Sequence, residues 1–311
     1  MVKPQIWEHA ALHMDTVVQM KVVSAQSEAS IRHALSLAFA AFCSVEEACS
    51  RFDHKSELRH LMTQIDIPVA VSPILFEALR FAWEVASLTD GAFDPTVGHI
   101  MEAHGFNHHY LTGEATRTAI LATISISYLD ILLDEEQRTV RLLKPMVIDL
   151  GAVAKGLAID LAKKELQHFE GFIIDAGGDV WVSGLNERAE PWLVGVRHPI
   201  KKDELFCTLN LTDAAICTSG NYERLSTTTV NAHHLMDPKT QTSAHGIISC
   251  TVVAPYAMMA DAFSTAALIL GAEKGLNLLE NIEIDGLCIT SSLEVFMTRK
   301  MQKLTKLVLL K

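Results

Sequence analysis

The stretch AMMADAFSTAALIL, Ala257 to Leu270, holds one carboxylate and two hydroxyls in a run that is otherwise apolar. That composition predicts a core helix. An ionised carboxylate in its middle costs several kcal/mol when unpaired, about 3 to 5 when a partner is removed, so Asp261 needs a cation. Asp261 and Thr265 are four apart and share one helix face, so both oxygens reach one ion. Hard oxygen donors with room for phosphate and water suit Mg2+ rather than zinc. The alternative is that Asp261 pairs with a lysine or caps a neighbouring turn, and the helix alone does not choose between them.

A second candidate runs from Val147 to Gly184, VIDLGAVAKGLAIDLAKKELQHFEGFIIDAGGDVWVSG. It reads as a short apolar strand ending at Asp149, a turn at Gly151 and a helix through about His168. A strand over 172–174, the turn Asp175-Ala-Gly-Gly-Asp179 and a strand over 180–183 follow. A glycine turn that opens a helix leaves N–H groups free to meet an anion, and Lys155 adds a fixed positive charge one turn inside. Equally, Gly151 and Gly156 serve tight turning and close packing. Gly177-Gly178 lets main chain approach a ligand or supplies positive φ. Together the two turns suggest a cleft.

Three further stretches carry weaker signals. The loop Asp90-Gly-Ala-Phe-Asp-Pro-Thr-Val-Gly-His99 offers Asp94 on an extended backbone beside Phe93, as a ligand lip or as plain turn chemistry. His99, His104, His108 and His109 crowd one segment but lack the helical pairing of a zinc site, so solvated or locally bonded imidazoles are expected. His234 and Asp237 are three apart near a strand end and could form a base and its orienter, or a capped Asp-Pro turn.

The elements that must position these groups alternate between strand and helix. Thr16–Val23 reads as the first strand, 29–49 as a long amphipathic helix, and Pro73–Leu88 as another with Pro73 in its first turn. A short helix can begin at Ser56. Strands are expected over 125–133, 139–143, 192–196 and 205–211, in a meandering antiparallel or mixed sheet. At 311 residues and 49% apolar content the chain supports a large core, and a net charge of −11 with no basic run excludes general nucleic-acid binding. Six cysteines without regular spacing read as buried thiols in a reducing compartment. No stretch is long and apolar enough for membrane insertion, and the first residues lack a signal-peptide core, so a cytoplasmic location is expected.

In order along nearly the whole chain, SRFDHKSEL, GAFDPTVG, IDLGAVAKG, IDAGGDVWVSG, TSGNYERL, HHLMDPKT and APYAMMADAFSTAALILG make the sequence resemble the FAD:protein FMN transferase family, also called the ApbE family. The resemblance implies an α+β fold, ApbE-like and T-fold-related, with mixed or antiparallel sheets packed with helices in a single domain over 1–311. It implies a Mg2+-dependent enzyme that cleaves FAD, joins FMN through its phosphate to a Thr or Ser of an acceptor protein and releases AMP. An FAD pyrophosphatase or a non-catalytic FAD-binding protein would use the same site.

By position, the resemblance gives the carbonyl of Ala152 with Asp261 and Thr265 as metal ligands, and Ser264 stands where some members have a carboxylate. Met14, Phe52, Ala92, Phe93, Asp94, Asp149, Lys155 and Met236 match positions that contact FAD, and His234 matches the family histidine near the phosphate. Departures are Asp15 for a glycine, Gln241 for the glycine of the Asp-Pro turn, and Ala103-His-Gly-Phe-Asn107 for a Trp-Gly-Phe-Gly segment.

Overall fold

The computed structural model describes residues 5–108, 113, 115, 125–201, 203–226, 228–230 and 232–307. The chain begins with strands β1 (Gln5–His13) and β2 (Thr16–Ser24), then helix α1 (Glu28–Cys49), α2 (Glu57–Leu61), β3 (Val69–Ala70), α3 (Pro73–Leu88) and α4 (Gly98–Ala103). Strands β4 (Ile131–Asp134) and β5 (Thr139–Leu142) precede helix α5 (Ala154–Leu166), which leads into β6 (Gly171–Ala176), β7 (Asp179–Gly184), β8 (Trp192–Arg197), β9 (Leu205–Leu211) and β10 (Ala214–Gly220). After β11 (Met236–Asp237) and β12 (Thr242–Ser243) come β13 (Ile247–Ala254), α6 (Ala257–Leu270), α7 (Ala272–Asn281), β14 (Asp285–Thr290), β15 (Val295–Met297), α8 (Arg299–Leu304) and β16 (Thr305–Leu307).

These elements form two compact units, each described by itself: Met1–Cys43 with Lys155–Gly220 and Gly246–Lys311, and Ser44–Ala154 with Asn221–His245. The first is built on an eight-stranded sheet in the order β1-β2-β6-β7-β10-β13-β14-β15. Its pairings are all antiparallel. A smaller sheet, β16-β9-β8, packs on it. Along β8, Trp192, Val194 and Val196 are buried while Leu193, Gly195 and Arg197 are exposed, the alternation of a one-sided strand. Those buried side chains meet Val182, Ile216, Val253 and Leu287 in one core. Helix α6 packs against β10 and β13.

One feature of this unit departs from the sequence expectation. The strand before Thr16 was not anticipated: β1 lies at the sheet edge with both faces partly exposed, so its His and Glu residues blur the alternation. It pairs with β2 through a two-residue turn at Met14 and Asp15, with φ of 49° and 60°. Positive φ at both turn residues is the type I′ arrangement, which accepts Gly, Asn or Asp, so Asp15 suits its place.

In the second unit, Ser72 caps α3 by accepting from Leu75 N–H, and Pro73 occupies the first turn, as its sequence position predicts. Glu57 of α2 accepts from the N–H and hydroxyl of Ser72 at 2.6 and 2.5 Å, which ties the starts of the two helices together. The expected strand ending at Asp149 is absent. Val147 makes one parallel bridge to Val97, and Asp149 N–H donates to Pro95 at 2.8 Å. The run is apolar because it is buried there, not because it joins a sheet. Likewise the strand expected over 125–133 starts only at Ile131 and runs to Asp134, since Tyr128–Asp130 forms a single 3-10 turn. Among the described residues no helix is long and apolar enough to cross a membrane.

Candidate functional site

The residues matched to flavin, metal and catalytic positions divide between the units: Met14, Lys155, Asp261 and Thr265 belong to the first, and Phe52, Ala92, Phe93, Asp94, Asp149, Ala152, His234 and Met236 to the second. In the first unit the site is built on the meeting of α5 and α6. Gly156 allows it, because a Cβ there would stand 2.5 Å from the Ala257 carbonyl oxygen and from the Met258 nitrogen. Backbone therefore touches backbone. The N–H of Gly156 donates to Asp261 Oδ2 at 3.3 Å, so the free N–H expected at the start of α5 meets the chain's own carboxylate. Asp261 does cap a neighbouring turn, one of the alternatives its sequence position left open.

Asp261 and Thr265 are 5% and 7% exposed, and both belong to the buried face of α6. Thr265 Oγ1 lies 2.9 Å from Ser219 Oγ on β10, which also lies 2.7 Å from Ser264 Oγ. The Ser264 hydroxyl donates back to the Asp261 carbonyl at 2.8 Å. Ser264 is therefore committed to hydroxyl and main-chain partners. This group offers hard oxygen and no imidazole.

Lys155, on the first turn of α5, forms an ion pair with Asp179 at the start of β7. Burial opposes its charge, but the carboxylates of Asp179 and then Asp261 outweigh burial and raise its pKa. The lysine is thus a permanent cation in reach of Asp261 while its direct contact is Asp179. Cys217 completes this corner, its thiol 3.7 Å from the Ala257 carbonyl and its pKa pushed well up by burial and then by Asp179 and Asp261. A thiol so placed is inert. The adjoining turn, Gly177-Gly178, has φ of 67° and 99°, and Thr16 Oγ1 would stand 2.3 Å from a Cβ on Gly177. Glycine here serves both the turn and the close approach of the β1–β2 hairpin.

In the second unit Arg51 is the organising side chain, and sequence reasoning passed over it. It is 5% exposed, pairs with Asp149, donates to the Phe106 carbonyl at 2.5 Å and lies 4.2 Å from the Phe52 ring centroid. Two proposed flavin contacts, Phe52 and Asp149, therefore hang on one guanidinium. Burial would raise the Asp149 pKa, but Arg51 and the N–H of Gly151 hold it below its ordinary value. Ala152 follows in the turn that runs into α5.

His234 lies in the same unit, its ring 6.5 Å from that of Phe106 in an edge arrangement. Its Nδ1 is buried without a hydrogen-bond partner. Burial, reinforced by the Arg224 charge, drives its pKa down to about 3, so the ring is neutral and weakly basic, far from the ordinary 6.5. The proposed orienter does not reach it. Asp237 accepts from Lys239 N–H at 2.8 Å in the alternative Asp-Pro turn, because a side chain two residues ahead of an N–H folds back on its own loop. Neighbouring His233 is bound to the Ala244 carbonyl at 2.8 Å and is structural.

Ala92, Phe93 and Asp94 are all buried, and Asp94 accepts from Thr96 N–H and hydroxyl and from Tyr128 N–H at 2.7 to 3.0 Å. Burial still raises its pKa despite those bonds. Met236 is 2% exposed and packs with Ile100 and Met101. Of the crowded histidines, His99 bonds the Thr96 carbonyl at 2.9 Å and His104 the Gln241 carbonyl at 3.1 Å, while His109 lies outside the described residues. Among the described residues no cluster of three His, Cys, Asp or Glu side chains could hold a metal.

An antiparallel sheet packed with helices in this way is the fold of solved ApbE structures. The ApbE protein of Thermotoga maritima superposes with a TM-score of 0.84 at 26% identity, covering 97% of this chain and all of that one. The flavin transferase ApbE of Vibrio cholerae shares the fold, with a TM-score of 0.83 at 22% identity over 97% of this chain and 99% of its own. The chain belongs to the ApbE family, whose sequence profile matches residues 14–288. It is also 26% identical over 276 residues to the Haemophilus influenzae enzyme named FAD:protein FMN transferase, spanning 85% of this chain and 80% of that protein.

Proposed function

We propose that this protein is an FAD:protein FMN transferase that moves FMN from FAD to a Thr or Ser hydroxyl of an acceptor protein and releases AMP. Family membership and the names of its relatives support the reaction class. The observation that carries the reading on this chain is the α5–α6 corner, where a permanently charged Lys155 acts on Asp261, and Asp261 shares the buried face of α6 with Thr265.

The corner suits a divalent ion bound together with a pyrophosphate. Its donors are carboxylate and hydroxyl oxygens, the chemistry that Mg2+ prefers. Too few carboxylates converge for a closed protein cage, so further ligands must come from main chain and substrate. Asp261 and Thr265 would hold the ion, and the resemblance adds the carbonyl of Ala152. Bound there, Mg2+ would supply charge neutralisation on the pyrophosphate and the departing AMP.

The protein's own groups account for the remaining steps. Lys155 supplies a cation that cannot be discharged near neutral pH and pairs with phosphate oxygens. Arg51 keeps Asp149 ionised and Phe52 in place for the flavin moiety. The acceptor hydroxyl attacks the FMN phosphorus, the bond to the AMP oxygen breaks, and the hydroxyl proton passes to the orphan nitrogen of His234. A neutral ring has that lone pair free. Burial is the larger cause of its low pKa and the Arg224 charge the smaller, so phosphate charge that neutralised Arg224 would return only part of its basicity.

Asp261→Ala tests the reading. Incubated with FAD, Mg2+ and an acceptor peptide carrying a Thr, the variant should lose adduct formation, followed by mass, by about 100-fold or more, since the ion supplies several kcal/mol. Transfer at the wild-type rate overturns the proposal. Free FMN without adduct from the wild-type protein would instead identify an FAD pyrophosphatase, and FAD surviving intact a binding protein.

A further inference from the structure

We infer that Asp160 is a positioning residue, which from α5 fixes the first turn of α6 and thereby aims Asp261 and Thr265 as ligands. The inference rests on the metal reading proposed above. Helix α6 begins without help from its own N-cap residue: Tyr256 makes no side-chain capping bond. The N–H groups of Ala257 and Met258 donate instead to Asp160, one to each oxygen, at 3.0 and 2.9 Å. A single bond would let the helix turn about it. Two bonds to one planar carboxylate set its rotation as well as its height.

The geometry carries that constraint to the ligands. Ala257, Asp261 and Thr265 are spaced by four and follow one face of α6, so the end that Asp160 grips and the residues proposed as ligands belong to one rigid rod. Gly156 and Asp160 are likewise four apart on α5. One brings the backbones together and donates to Asp261, and the other caps α6. Asp160 is itself held, with Lys163 Nζ 3.0 Å from its Oδ1. That ammonium lies 3.6 Å from the Trp181 ring centroid and 4.5 Å from that of Tyr256. Asp160 is 8% exposed and has its oxygens engaged by the α6 N–H groups and Lys163, so it acts through α6 and does not serve as a ligand.

A cap that only stabilised the fold would lower the melting temperature and leave ion affinity in the folded protein unchanged. A positioning residue changes affinity at temperatures where the protein is fully folded. Mn2+ serves as the probe, its free fraction read by electron paramagnetic resonance during titration of the full chain, with circular dichroism to confirm folding. Asp160→Ala should raise the Mn2+ Kd by about tenfold or more, as loss of outer-sphere support does elsewhere. Asp160→Asn, which keeps one acceptor oxygen, should fall between, and it alone decides the matter if the alanine variant does not fold. A Kd within twofold of wild type for the folded Asp160 variants, while Asp261→Ala abolishes binding, overturns this inference and leaves the metal reading standing. Equal binding by wild type and Asp261→Ala overturns both.

Discussion

Acidifying the protein to about pH 5 should leave the imidazole of His234 uncharged in the folded chain, where an ordinary histidine would be almost fully protonated. Its pKa lies at about 3 in place of 6.5 because burial and the Arg224 charge both disfavour the cation. At 1.36 kcal/mol per pH unit that gap amounts to roughly 5 kcal/mol between the two protonation states. The unfolded chain takes up the proton first, so this contribution to stability is intact above pH 6.5, drains as pH falls and is gone by about pH 3. Between neutrality and about pH 5 the loss is about 2 kcal/mol, which His234→Gln should escape. Titration of the ring carbon–proton signals by NMR, assigned with that variant, reads the midpoint directly. Urea unfolding of both proteins at the two pH values reads the energy. A midpoint between about pH 6 and 7, or parallel losses of stability in the two proteins, refutes the reasoning. The acid limb of kcat/KM, which reports the free enzyme, should accordingly lie well below pH 6.

Three other perturbations follow from the geometry. Gly156→Ala would drive a methyl group into the main chain of Ala257 and Met258, and should cost about 2 to 3 kcal/mol by chemical denaturation while weakening Mn2+ binding. Arg51→Leu leaves Asp149 without its cation and should destabilise the fold by about 3 to 5 kcal/mol. Because Arg51 holds the folded pKa of Asp149 low, its stabilising share is present above pH 3.8 and lost in acid, so the variant's stability should vary less with pH below that value. Gln241 sits at φ 57°, where glycine is at ease. Gln241→Gly should raise the melting temperature by about 1 to 2 °C, as relief of left-handed strain exceeds the added chain entropy, and a fall would contradict that balance.

Much of the scaffold was legible because its signals are local. Helix α3 follows from Ser72, Pro73 and an apolar period, and α6 from a composition that leaves no other structure open. The Asp175–Asp179 turn follows from two glycines at positive φ. What stayed hidden is carried by contacts distant in sequence. Arg51 meets Asp149 across 98 positions and Asp160 meets Ala257 across 97, and no spacing rule announces either pair. Asp237 beside His234 offered a tempting local pair, yet the Asx turn to Lys239 takes that carboxylate away. Val147 to Leu150 misled for the opposite reason, since burial alone produces an apolar run without a sheet.

The borrowed cap on α6 has a consequence for the order in which the molecule acquires its parts. A segment with no start signal of its own gains little from coiling early, because nucleating a helix is costly and its first N–H groups wait for a carboxylate made far upstream in the chain. Loop closure over that distance comes late. During refolding the first turn of α6 should therefore order only after α5 has docked and brought Asp160 to it.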